Sequence, residues 1–401
     1  MSLLAELLLA LLLGVGAGII TGLTPGVHIN LVSLLLLSIS PVLLQYISPL
    51  TIAVCIVSMA ITHTFLDAIP SIFLGAPDAD QALNVLPGHK LLMQGKGYDA
   101  VKLTVIGSLG ALLLAVACIP LLIPMVAYVY PVLQPFIGYI LAAVVGFMIL
   151  KDRHRAGNFL VFLMSGVLGI LVLNMPNLRQ PLFPLLSGLF GVSMLVTSYL
   201  ENVRIPRQQP GSSLNVERSI VGKSVVAATI TGSCTAFFPG LGPAQGAVIA
   251  SQFLKDIGDH GFMILVGGIN TVNMIVSLVT LYAIDKARNG AVLVIAELME
   301  MDIPSLIALA AVVLLSGGIA TALTLSFTRR FSVWISKVNY RMLVVGVALF
   351  ITALVLIFSG PVGLLILLTA TAVGIVPAEL GVARNHAMGC LLLPVILFFL
   401  L

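Results

Sequence analysis

The chain has 401 residues, of which 60% are hydrophobic and 8% charged, and its formal net charge is +4. A soluble domain carries about 25% charged residues, so this chain cannot cover a surface that faces water. A soluble enzyme, a secreted disulfide domain, a nucleic-acid binder and a disordered protein are excluded, which leaves an all-α polytopic membrane protein with the lipid bilayer as its first partner.

The N-terminus is apolar at once, with Glu6 and no Lys or Arg before it. It lacks the basic n-region of a signal peptide and reads as a permanent segment. The first apolar region, 3–44, is interrupted at Leu23-Thr24-Pro25-Gly26. Pro cannot continue a helix and Gly relaxes the backbone, so the chain either turns back here as a re-entrant hairpin or makes two crossings. Apolar segments long enough to span follow at about 50–74, 101–126, 131–150, 158–173 and 181–200. The stretch 201–219, with Pro206, Pro210, Gly211, Ser212 and Ser213, is the best linker in the chain. After it comes a second broken region, 220–254, interrupted at Phe237-Phe238-Pro239-Gly240, and then spans at about 261–284, 304–327, 341–358, 360–377 and 386–401. The four cysteines, Cys55, Cys118, Cys234 and Cys390, lie apart in apolar stretches and read as packing residues.

The halves on either side of the linker resemble each other. Pro25-Gly26 matches Pro239-Gly240 at an offset of 239 − 25 = 214, with Gly18 matching Gly232 and Thr21 matching Thr235. In the next helix Thr62 aligns with Asn270 at 270 − 62 = 208. The expected organisation is a first repeat over 1–200, a cytoplasmic linker over 201–219 and a second repeat over 220–401. Each repeat has a Pro-Gly-broken hairpin and about five further helices.

Charge gives orientation. With the first hairpin entering from outside, 16 of the 19 Lys and Arg residues fall on the inside, leaving Arg179, Lys286 and Arg288 outside. The positive-inside rule prefers this topology strongly over its reverse. Both termini are then extracytoplasmic. Five crossings per half make the second half inverted relative to the first. Matching connections agree: the expected turn near 127–130 has no charge, whereas its counterpart at 328–341 has Arg329, Arg330, Lys337 and Arg341. An inverted repeat is the architecture of many secondary transporters of the plasma membrane.

The two hairpin tips would meet near the midplane, where a broken helix is tolerated only if it lines a cavity. A helix start exposes N–H groups and a positive dipole end, so two facing starts suit an anion. Candidate substrate-binding residues are Thr24, Pro25, Gly26, His28 and Asn30 in the first tip, and Phe238, Pro239, Gly240, Gly242, Pro243 and Gln245 in the second. His28 reads equally as an anion contact and as a cap. In helix 50–74, Thr62, His63 and Asp67 are candidates for ion coupling; His63 and Asp67 are four apart and share a face. A charged side chain at a helix centre costs about 2.5–3.5 kcal/mol on insertion scales, so Asp67 needs a cavity, a partner or an ion. Asn270 and Asn273 are the polar counterparts in the second half. Sodium near Asp67, Asn270 and Asn273, or a proton, fits as coupling ion, and so does a purely structural His–Asp pair. No other cofactor is indicated. Glu6, Glu379 and Arg384 read as interfacial, and Trp334, beside Arg329, Arg330 and Lys337, as an interfacial anchor. Glu297 and Glu300 fall in a stretch that suits a surface helix. No Walker, HExxH or clustered Cys/His motif occurs. An intramembrane enzyme using Asp67 and His63 would lack a second carboxylate or nucleophile nearby.

The second tip, Phe238-Pro239-Gly240-Leu241-Gly242-Pro243-Ala244-Gln245-Gly246, is similar to the repeated PGLGP motif of the TctA family, the large membrane subunit of tripartite tricarboxylate transporters. The connection Gly75-Ala76-Pro77-Asp78 and, further on, Gly95-Lys96 resemble the family's polar connection. This resemblance implies ion-driven uptake of a small carboxylate. It also implies partners, namely a small membrane subunit and an extracytoplasmic binding protein, unless a compact member acts alone or as a homodimer. The chain departs from the family in being shorter than typical members and in having His28-Ile29-Asn30 where a second Gly-Pro is common. The other reading of opposed hairpins is a polyprenyl-phosphate translocase. The hairpin tips carry no Lys or Arg to pair a phosphate, which favours carboxylate.

Overall fold

The computed structural model describes residues 3–24, 29–75, 85–151, 154–178, 180–200, 206–209, 211, 216–237, 242–254, 257–287, 289–337 and 340–401. Among them every regular element is a helix. Eight helical stretches are long and apolar enough to cross a membrane.

The interruptions fall where the Pro-Gly pairs predict. Helix α1 (Leu3–Leu23) is separated from α2 (Ile29–Leu43), and α12 (Arg218–Phe237) from α13 (Pro243–Phe253). The tip residues Pro25, Gly26, His28, Phe238, Pro239 and Gly240 themselves lie outside the described residues.

The span expected at 50–74 is two helices, α3 (Pro49–Leu66) and α4 (Ala68–Leu74), meeting at Asp67. Pro70 explains the break. It has no N–H to give the Leu66 carbonyl, and its ring crowds that carbonyl. One residue on, Ser71 bonds the Asp67 carbonyl with both its N–H, at 3.4 Å, and its Oγ–H, at 2.9 Å. Ser48 caps the start of α3, accepting from Thr51 N at 3.2 Å. Glu6 is not simply an interfacial charge: its Oε1 accepts from the Thr51 hydroxyl at 2.5 Å, tying α1 to the start of α3.

The connection 85–96 holds α5 (Val85–Met93), and α6 (Gly97–Ala117) follows. Here the expected boundaries shift. The segments 101–126 and 131–150 are instead α6, α7 (Ile119–Leu133) and α8 (Ile137–Lys151). Residues 127–130 are helical, and the breaks sit at Cys118 and at the 3-10 turn Gln134–Phe136. Pro120 and Pro135 place them, each being favoured at the start of a helical element. Neither break contains a charge.

Helix α9 (Arg155–Leu173) is followed by α10 (Leu182–Leu186), a π-helical turn over Ser187–Val192, and α11 (Ser193–Leu200). In the second half come α14 (Gly258–Ile284), α15 (Gly290–Leu298), α16 (Ile303–Ile335), α17 (Tyr340–Glu379), a 3-10 turn Arg384–Met388 and α18 (Gly389–Leu400). A 40-residue α17 would be about 60 Å long if straight, twice the bilayer core. It is kinked at Gly360, where φ is 68° and ψ −167°, a conformation open only to glycine. This is the boundary expected between 341–358 and 360–377. Asn289 caps α15, which buries Ala291, Val292, Val294 and Ile295 and exposes Glu297, and Glu300 just beyond its end is exposed as well. One face of this helix thus packs on the protein and the other is exposed.

Two helices form the centre. The stretch α3–α4 is 94% buried over its spanning window and α14 is 89% buried, while no other spanning window exceeds 56%. α1 lies along α3 and α12 along α14; α6 packs on α14, and α16 on α3. Small residues allow these close crossings. A Cβ on Gly18 would lie 2.6 Å from the Met59 carbonyl oxygen and 2.6 Å from Thr62 Cβ. One on Gly232 would lie 2.7 Å from Val272 Cβ and 3.0 Å from the Ile269 carbonyl oxygen. These contacts pair Met59 with Ile269 and Thr62 with Val272. The register between α3 and α14 is thus 272 − 62 = 210, two residues off the 208 that aligns Thr62 with Asn270. A second group, α8, α9, α17 and α18, packs together outside this centre.

The linker is held at 206–209. Gln208 accepts from Gly97 N at 2.8 Å and donates to the Leu92 carbonyl at 2.9 Å, while Gln208 N donates to Ser336 Oγ at 3.0 Å. The Gln208 side chain therefore caps α6 and ties down the end of α5, while its backbone N–H reaches the end of α16. Trp334, Arg329, Arg330 and Lys337 are exposed at that same end of α16, as an interfacial anchor requires.

Candidate functional site

Two pairs of polar residues join α3 and α14 where these buried helices meet. Thr64 Oγ1 and Thr271 Oγ1 are 3.3 Å apart across the contact. One turn along, Asn270 Nδ2 donates to Asp67 Oδ2 at 2.9 Å. Asp67 is 2% exposed and Asn270 4%, so this carboxylate–amide bond joins the two halves of the chain in a water-poor interior. A hydrogen bond to a charged group contributes about 1.5–3 kcal/mol. The position of Asp67 at the α3–α4 break also follows from Pro70, which frees local backbone groups beside a carboxylate.

Two further bonds flank this one. His63 Nδ1 lies 3.1 Å from Thr21 Oγ1 on α1, and Asn273 Nδ2 donates to Thr235 Oγ1 on α12 at 3.2 Å. Thr21 and Thr235 correspond at the 214 offset. His63 and Asn273 correspond at 210, the register that Gly18 and Gly232 set. The same linkage thus occurs twice. In each, a threonine near the end of an interrupted helix is tied to a polar side chain of the buried helix beside it. Both threonines accept this role at little cost, because each hydroxyl also bonds the carbonyl three residues back, Gly18 at 3.3 Å and Gly232 at 3.0 Å.

Other candidates distribute as follows. Thr62 presses its Cβ against Gly18, and its Oγ1 is buried with no hydrogen-bond partner among the described residues. Thr24 N donates to the Ile20 carbonyl at 3.1 Å, ending α1. Asn30, in the first turn of α2, lies against Gly290 at the start of α15, where a Cβ would meet Asn30 Cγ at 2.6 Å. Gly242 is the extended N-cap of α13 and Pro243 its first residue, with no side chain capping the N–H groups that follow. Of Gln245 only the backbone, inside α13, is described. Gly246 lies on α12: a Cβ there would be 2.6 Å from Thr235 Cγ2. The uncapped start of α13 is therefore one turn from the Thr235–Asn273 bond.

Across the α3–α14 contact the structure places Asp67 against Asn270 and Thr64 against Thr271, whereas Thr62 and His63 meet α1 and Asn273 meets α12. Sequence reasoning passed over Thr21, Thr235, Thr64 and Thr271 as site residues. The first two carried a signal, since both recur at the 214 offset. The second pair did not, because a threonine in an apolar helix usually bonds its own backbone. No group of three or more His, Cys, Asp or Glu side chains occurs among the described residues. An ion held here would therefore be coordinated mainly by amide, hydroxyl and carbonyl oxygens around a single carboxylate.

Comparison with known proteins covers nearly the whole chain. The sequence model of the tripartite tricarboxylate transporter TctA family matches residues 8–389. An uncharacterized protein of Methanocaldococcus jannaschii is 30% identical over 402 residues, spanning 98% of this chain and 99% of its own length. No solved structure matches.

Proposed function

The chain belongs to the tripartite tricarboxylate transporter TctA family, and from that premise we propose that it is an ion-coupled carrier of a small di- or tricarboxylate. The observation that carries the proposal is the Asp67–Asn270 bond at the contact of the two most buried helices. An intramembrane carboxylate is costly unless it serves a pathway or a coupling ion. Here it joins the two halves, so an ion or proton that displaces Asn270 from Asp67 changes how the halves are held.

The anion is bound at the helix starts beyond the two tips. Support comes from the uncapped start of α13 and its position one turn from Thr235. The duplicated Thr21–His63 and Thr235–Asn273 links pass binding at each tip to α3 and α14. Sodium and proton both suit a single buried carboxylate ringed by hydroxyl and amide groups. Each is a transported partner of the substrate rather than a resident cofactor.

Alternating access follows from two inverted units, 1–200 and 220–401, moving against each other about the α3–α14 contact. The exchanged packing, α6 on α14 and α16 on α3, is what such a pair of units would have. A small membrane subunit and an extracytoplasmic binding protein complete the system, in keeping with the tripartite organisation of the family.

The test is uptake of labelled citrate and of shorter dicarboxylates into liposomes holding the protein, under an imposed sodium or proton gradient. Accumulation driven by one of the two gradients is expected. Retention of a polyprenyl phosphate, with no carboxylate bound or moved, would overturn the reading.

A further inference from the structure

Between the halves of the chain, α6 and α16 are exchanged, each packing on the buried helix of the other half. α6 lies against α14 backbone to backbone. A Cβ on Gly107 of α6 would fall on the Ile264 carbonyl oxygen, and one on Gly267 of α14 would fall on that of Thr104. One on Gly268 would lie 3.0 Å from the Gly107 carbonyl oxygen and 2.6 Å from Ala228 Cβ on α12. On α6, a Cβ at Gly110 would lie 3.0 Å from Val225 Cγ2 of α12. Ser108, 1% exposed, donates its hydroxyl across the α6–α14 contact to the Gly267 carbonyl at 3.0 Å. The helices α6, α12 and α14 thus interlock as one block.

The α3–α14 contact is built differently. Side-chain tips join it, at Thr64–Thr271 and Asp67–Asn270. Neither threonine depends on the other. Thr64 Oγ1 also donates to the Ile61 carbonyl at 2.9 Å, and Thr271 Oγ1 to that of Gly267 at 3.3 Å. If α3 and α14 part, both hydroxyls keep a backbone acceptor and neither is orphaned. Parting α6 from α14 would instead unpack two backbones and strip Ser108 of its bond. The contact between α6 and α16 is also of the looser kind, since Gly317 of α16 meets the end of the Leu112 side chain.

We propose that α6 moves as one body with α12 and α14. In the same way α16, which packs on α3 and sets Phe331 edge-on to Phe73 of α4 at 5.6 Å between ring centroids, moves with α1 and α3. This assignment rests on the carrier reading above and exchanges one helix between its two moving units. Sliding takes place where α3 meets α14 and where α6 meets α16, the contacts with two low-cost arrangements.

Spin labels at three exposed positions test it, in protein whose Cys55, Cys118, Cys234 and Cys390 are changed to Ala. The positions are Leu13→Cys on α1, Leu113→Cys on α6 and Ile230→Cys on α12, where the native residues are 61%, 51% and 61% exposed. They are introduced in pairs, and distances are read by pulsed electron paramagnetic resonance in nanodiscs, without ligand and with citrate in sodium or acidic buffer. The α1–α12 pair spans the two units on either assignment and should shift by about 5 Å, one helical turn. The α1–α6 pair lies within one half of the chain and should shift with it. The α6–α12 pair lies across the halves and should keep its distance. A shift in α6–α12, or a constant α1–α6 distance while α1–α12 moves, would overturn the proposal and leave the carrier reading standing. No shift in α1–α12 would overturn both.

Discussion

The close approach of α1 to α3 can be tested with one substitution made at two positions of the same helix. Gly16 has nothing within 4 Å of where a Cβ would stand. Gly16→Ala therefore gains helix propensity alone, about 0.5–1 kcal/mol of stabilisation. At Gly18 the new methyl would lie 2.6 Å from both the Met59 oxygen and Thr62 Cβ. Ordinary contact needs roughly 1 Å more, and neither neighbour is the free end of a flexible side chain. α1 must move off α3, at a cost of about 1–3 kcal/mol. The two variants should therefore differ by about 1.5–4 kcal/mol with opposite signs. Thr21 follows one turn later, so the same displacement stretches the 3.1 Å Thr21–His63 bond. Thermal unfolding in detergent measures the first effect and substrate affinity the second. Equal unfolding temperatures for Gly16→Ala and Gly18→Ala would refute the reasoning.

Three other outcomes follow from named contacts. Single cysteines introduced by Arg288→Cys and Arg330→Cys should label from opposite sides of the membrane, and labelling from one side would sink the inverted arrangement. Gln208→Ala removes bonds to Gly97 N and the Leu92 carbonyl and should cost about 1–3 kcal/mol; a loss within measurement noise would show that the linker is not pinned at 206–209. Burial pushes the His89 imidazole on α5 down to about 4, against a weaker opposing hydrogen bond with the Ile72 backbone. The folded pKa lies below the unfolded one. The stabilisation is therefore full above about pH 6.5 and is lost as pH falls toward 4, amounting to about 3 kcal/mol. His89→Gln should flatten unfolding temperature against pH in that window, and an unchanged slope would count against the burial argument.

Much of the architecture was legible because it rests on strong local rules. Pro-Gly in a bilayer breaks a helix, and the described helices end before each pair, at Leu23 and Phe237, and resume after it, at Ile29 and Pro243. The boundaries that moved were set by single prolines of weaker effect. Pro120 and Pro135 shifted α7 and α8, and Pro70 divided α3 from α4. A long apolar run hides such breaks, because every residue around them is equally content in lipid. The polar centre was legible as composition, since Asp67, His63, Asn270 and Asn273 are conspicuous in apolar helices. Their partners were not. Thr21 and Thr235 become visible only when α1 and α12 are laid on α3 and α14. The register of 210 depends on Gly18 and Gly232 sinking into those helices.

The most direct measurement is gradient-driven carboxylate uptake by Asp67→Asn in liposomes, beside wild type at matched protein density. The amide preserves shape and can still bond Asn270, so the fold should hold, as elution and unfolding temperature would verify. With the carboxylate coupling ion to substrate, accumulation against the gradient should fall at least 100-fold, a loss of about 2.7 kcal/mol in coupling, while substrate binding persists. Accumulation at the wild-type level would remove Asp67 from the mechanism and leave the Asp67–Asn270 bond as a structural tie between the two halves.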